Sequence, residues 1–153
     1  MRFRGVVLGA AALVAGCQQQ REPLVAEAWM RLGGVPGAPA AVYATLTGGA
    51  EDTHLLVVET PVAVRTELHE TQVNTTGAGT RTPMTMRMVP LDKLELQARA
   101  TVKLAPGGYH VMLFDVAPTV RPGGTAPIQF TFADGTRVEV LAAVVGAGDP
   151  PPK

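Results

Sequence analysis

Hydrophobic and polar positions along this chain alternate in short bursts, and Gly, Pro or Asp-Gly breaks separate the bursts. In one of the clearest, Val64, Thr66 and Leu68 alternate with Arg65, Glu67 and His69. A period of two places these sets on opposite faces of a strand, with Leu68 toward a core and His69 outward. In another, Ile128, Phe130 and Phe132 alternate, Asp134-Gly135 follows, and Val138 and Val140 resume the alternation. That pattern predicts a β-hairpin. The same reading gives strands at 26–32, 41–46, 55–58, 84–88, 94–96, 101–104 and 109–116, with loops at 33–39, 71–82 and 118–124. No long amphipathic helix is expected beyond the first residues. Many short strands with frequent turns predict an all-β fold, a β-sandwich or small barrel. Trp29, the single tryptophan, is expected as a core anchor.

Composition agrees. The 153 residues suffice for one domain with a core, and 17 Gly and 13 Pro suit turns better than helices. Thirteen basic residues balance thirteen acidic ones, so there is no basic footprint for nucleic acid.

The first segment reads as an export signal. Arg2 and Arg4 precede an apolar run from Val6 to Ala15, which ends at Gly16-Cys17. Val14-Ala15-Gly16-Cys17 resembles a bacterial lipobox, in which the cysteine carries the lipid. The expected organisation is a signal peptide at 1–16, a lipid-anchored tether at 17–25, a β-sandwich domain at 26–145 and a disordered Pro-rich tail at 146–153. The protein is expected outside the cytoplasm, membrane-bound through lipid on Cys17 and facing the periplasm or cell exterior. Cys17 is the only cysteine, so the folded part has no thiol and cannot form an internal disulfide.

The candidate chemistry lies in His and Met. His110 and Met112 are two apart on a predicted strand and share a face. An imidazole beside a thioether suits copper(I), whereas magnesium and calcium prefer oxygen. His69 ends a strand on the polar face. Met84, Met86 and Met88 share one face of another strand, where they serve either core packing or a metal. His54 reads as a surface residue without a role. Enzyme chemistry finds little support. The chain contains no Ser, which excludes a serine triad, and no paired carboxylates or phosphate-cradling Gly loop stand out.

His69, Met88, His110 and Met112, with twenty-one residues between Met88 and His110, together resemble the PCuAC-type extracytoplasmic copper chaperones. Neighbouring words agree: Glu67-Leu68-His69-Glu70, Met86-Arg87-Met88, Lys103-Leu104-Ala105-Pro106-Gly107-Gly108-Tyr109-His110 and Phe132-Ala133-Asp134-Gly135. The resemblance spans roughly Glu27 to Val145. Two departures stand out. Eighteen residues separate His69 from Met88, more than the family usually has, and the excess falls in the Gly/Thr-rich stretch 74–83. Thr71 also stands where the family often has a Met, leaving Met84 or Met86 as accessory donors. The spacing to His110 favours Met88 over Met86 as the ligand.

The resemblance implies a cupredoxin-like Greek-key β-sandwich that binds copper(I) through His69, Met88, His110 and Met112. Such a protein, expected as a monomer, would pass the metal to the CuA centre of a terminal oxidase or to an assembly factor. Two alternatives remain open at this stage: a metal-free lipoprotein scaffold that binds a partner, and a copper buffer for resistance.

Overall fold

A computed structural model of the chain describes residues 21–74 and 85–153. These residues contain ten strands: β1 (Leu24–Arg31), β2 (Ala40–Thr47), β3 (Thr53–Glu59), β4 (Ala63–Asn74), β5 (Thr85–Pro90), β6 (Leu94–Leu96), β7 (Thr101–Leu104), β8 (Tyr109–Val116), β9 (Thr125–Phe132) and β10 (Arg137–Val145). No helix forms among the described residues. Cys17, the export signal and Met84 lie outside them.

The strands hydrogen-bond in the order β5-β4-β8-β7-β2-β1-β10-β9-β3-β6, and β8 also pairs with β2. The β1–β10 and β7–β8 pairs are parallel. The sheet curls back on itself. β3 and β4, distant in the pairing order, are joined where the Thr66 hydroxyl donates to the Val58 carbonyl. The enclosed face is a single apolar core. Leu46, Leu55, Leu96, Val111, Leu113, Ile128 and Phe130 are completely buried within it. The all-β sandwich expected from the alternation is present.

The predicted hairpin is β9–β10, with Thr131 opposite Arg137 and Phe130 opposite Val138. Gly135 adopts φ +88°, a conformation that suits residues without a Cβ. The Thr136 N–H donates to the Asp134 carboxylate at 2.9 Å.

β1 departs from simple alternation. Val25 and Met30 are both core residues despite their odd spacing. The register with β2 shifts between Ala26 and Trp29, and Glu27 takes φ +53°. A bulge of this kind turns the following residues over. Trp29 is buried as expected, but outside the main core cluster. Its ring centroid lies 4.4 Å from that of Tyr43, and the Arg31 guanidinium sits 4.8 Å from the Trp29 centroid on the ring's face. Beyond β10, the Gly146 N–H donates to the Asp149 carboxylate at 2.8 Å, and Arg31 donates to the Asp149 carbonyl at 3.1 Å.

Strand boundaries differ from expectation at several ends. β1 begins at Leu24, inside the stretch read as tether, and places Val25 in the core. The largest difference is in β4. Residues 71–74, read as the start of a loop, continue β4 and pair with β5, Thr71 opposite Met88 and Val73 opposite Met86. Thr, Gln, Val and Asn carry no clean apolar period there. The ladder to β5 supplies backbone partners that the side-chain pattern does not announce.

Candidate metal centre

The β4–β8 ladder brings the two histidines together. Its register runs Arg65 opposite Phe114, Glu67 opposite Met112, and His69 opposite His110. Directly opposed residues in an antiparallel pair project to the same face, with Cβ atoms about 4.5–5.5 Å apart. Leu68 and Val111, opposed on the other face, point to the core. The imidazole centroids are 5.8 Å apart and the rings are tilted by 56°.

β5 adds sulfur on the same side. His69 is opposite Pro90 and Thr71 is opposite Met88, so Met88 is a diagonal neighbour of His69. Met112 is the corresponding diagonal neighbour on β8. Such diagonals span about 7–8 Å, within reach of long side chains. Met86, opposite Val73, lies one step farther along the same face. Met88 is 56% exposed and Met86 72%, whereas Met112 is partly buried.

The histidines lie deeper than an outward face would suggest. His110 is 4% exposed, and the His69 side chain is 12% exposed. Each uses one ring nitrogen within the protein. His110 Nδ1 lies 3.0 Å from the Gly108 carbonyl oxygen. That oxygen can only accept, so Nδ1 carries the proton and the neutral ring keeps its lone pair on Nε2. His69 Nε2 lies 2.8 Å from Glu67 Oε2, which by the same reasoning leaves the lone pair of the neutral ring on Nδ1. Both remaining atoms, His69 Nδ1 and His110 Nε2, are buried without a hydrogen-bond partner. Buried polar atoms are normally satisfied; here two neighbouring rings each keep a nitrogen lone pair free to donate. Burial, and secondarily the charge of Arg65, pushes the His69 pKa below its usual value. The neutral form is the one that can donate to a metal.

The donor set is soft. Among the described residues, no group of three His, Cys, Asp or Glu side chains is placed to hold a metal. The same face offers thioethers as well as imidazoles. The third histidine, His54, lies on β3 opposite Glu95 of β6, away from this ladder.

A family model described as "Putative lipoprotein LpqE-like" matches residues 24–144. The chain belongs to the LpqE-like family. Among solved structures, the LpqE-like chain is similar to a copper-bound PCuAC domain from PmoF2, with TM-score 0.64 and 20% identity over 83% of this chain and 95% of that one. The apo PCuAC domain from PmoF1 gives TM-score 0.63 and 19% identity, covering 84% and 97%. These two establish likeness of fold. The solution structure of copper(I)-bound DR1885 from Deinococcus radiodurans gives TM-score 0.58 at 29% identity, covering 86% and 83%. No curated protein matches the chain. The resemblance to PCuAC-type proteins and the cupredoxin-like sandwich it implied both stand.

Sequence reasoning passed over Glu67, Arg65 and the Gly108 carbonyl. The first two were visible as the polar face that ends in His69. A backbone carbonyl leaves no trace in residue identity.

Proposed function

We propose that this LpqE-like protein is an extracytoplasmic copper carrier that takes copper(I) as cargo on His69, His110, Met112 and Met88. The observation that carries this reading is the pair of neighbouring imidazoles, each with a buried, unpartnered nitrogen. Two nitrogens and two thioether sulfurs are neutral donors, so a monocation is held without burying an unpaired anion. The likeness to copper(I)-bound DR1885, at 29% identity, supports copper as the ion. Met88 is favoured over Met86 because it is the nearer diagonal neighbour of His69.

The exposed Met88 leaves the site open on one side, so an incoming ligand can displace donors stepwise. That suits transfer rather than catalysis. The recipient in this reading is the CuA centre of a terminal oxidase or an assembly factor. Export and lipid attachment at Cys17 keep the carrier at the membrane surface, consistent with the family's description. Copper(I) titration against a competing chelator tests binding: one tight site in the wild type, strongly loosened in His110→Ala. Equal affinity in both proteins overturns the reading. Incubating the loaded protein with a soluble CuA fragment tests delivery, and metal that stays on the donor counts against it.

A further inference from the structure

The outer face of the β4–β8 ladder carries a chain of polar contacts that ends on His69. Arg65, Glu67 and His69 occupy alternate positions of β4. The Arg65 guanidinium carbon lies 3.9 Å from the centroid of the Phe114 ring, on its face, and Phe114 is its directly opposed residue on β8. Arg65 Nη1 pairs with Glu67 Oε1. The other carboxylate oxygen, Oε2, is 2.8 Å from His69 Nε2. Both oxygens of Glu67 are therefore engaged, one by a cation fixed against an aromatic ring and one by the imidazole. His110 has no carboxylate in this role; its Nδ1 is held by the carbonyl of Gly108, in the turn just before its strand.

We propose that Glu67, clamped by Arg65, is a positioning residue that fixes the tautomer and orientation of His69, so that His69 meets the metal through Nδ1 while His110 does so through Nε2. The inference rests on the copper reading for its purpose but not for its first test. A carboxylate that accepts the proton of one ring nitrogen orients the ring and raises the basicity of the other. Arg65 offsets the carboxylate charge, leaving the pair neutral beside a monocation. The two histidines then offer different ring nitrogens, which lets rings rooted directly opposite each other converge from different angles. Glu67 is also opposite Met112, so the device sits beside two of the candidate donors.

Long-range proton–nitrogen correlation spectra of the metal-free, isotope-labelled protein report the tautomer of each ring. His69 is expected protonated on Nε2 and His110 on Nδ1. In Glu67→Ala, His69 is expected to become a mixture while His110 is unchanged. In Glu67→Gln, whose side-chain oxygen still accepts, the Nε2–H form of His69 returns. A wild-type His69 protonated on Nδ1, or a tautomer indifferent to Glu67→Ala, overturns the proposal even if the variant's fold is otherwise intact. Copper(I) affinity is expected to fall about 10-fold or more in Glu67→Ala and to recover partly in Glu67→Gln. Loss in His69→Ala but none in Glu67→Ala overturns the positioning role and leaves the copper reading standing. Unchanged affinity in both variants overturns the copper reading itself.

Discussion

The β9–β10 hairpin and the β4–β8 pair are both long antiparallel ladders, and both are written as alternating sequence. They part company on their outward faces. In the hairpin, Ile128, Phe130 and Phe132 are buried inward, while Arg137, Glu139 and Leu141 face solvent. In the β4–β8 pair the inward residues, Leu68, Val111 and Leu113, are equally ordinary. The outward face nevertheless takes His110 down to 4% exposure and leaves a ring nitrogen of each histidine without a partner. One ladder is satisfied on both sides. The other is satisfied on one side and, on the other, holds polar atoms that a folded protein ordinarily pairs. Departure from local self-consistency, more than depth alone, is what makes this face the candidate site.

The contrast breaks if the two ladders respond alike to substitution. Phe130→Ala should have the largest effect, lowering unfolding free energy by about 3–5 kcal/mol in denaturant melts, with copper(I) affinity of the folded fraction unchanged. His110→Ala should behave inversely: affinity down about 100-fold or more, at least what a supporting residue contributes, with a stability loss of only about 1–2 kcal/mol. Met88→Leu keeps the bulk and removes the sulfur. It should weaken binding about 10-fold, or about 1.4 kcal/mol, whereas Met86→Leu should change it by less than about 2-fold. Equal effects would erase the distinction drawn from the β4–β5 register.

The smallest effect concerns protons. Burial and Arg65 depress the His69 pKa, so its ring should titrate with a midpoint below about 6.5 in the metal-free protein. The unfolded chain then takes up this proton before the folded one. The contribution of neutral His69 to stability is intact above about pH 6.5 and is lost as pH falls below it through the folded value. Thermal melts of wild type and His69→Gln at pH 7.5 and 5 should show the wild type losing ground with acid. Copper(I) binding should weaken in the same direction, because a protonated imidazole has no lone pair to donate.

Much of this was legible in residue order. The hairpin followed from Ile128, Phe130, Phe132 and Asp134-Gly135, because period and turn chemistry point the same way there. The candidate donors His69, Met88, His110 and Met112 came from the resemblance to PCuAC-type chaperones, and the strand registers put all four on one face. The extension of β4 through Asn74 was hidden, since pairing with β5 rather than apolar patterning holds those residues in a strand. The bulge at Glu27 was hidden because a positive φ at a residue other than Gly leaves no compositional signal. The roles of Arg65 and Glu67 needed coordinates, since shared parity says that side chains face the same way but not which atoms meet.

The opposition of Leu68 and Val111 on the buried side has a further meaning. Sliding β4 past β8 by a single residue would turn Leu68 outward and drive His69 into the apolar interior. Oil thus sets the reading frame for the donors behind it. A lesion at Leu68, remote from any lone pair, should blur the site as surely as one among the ligands.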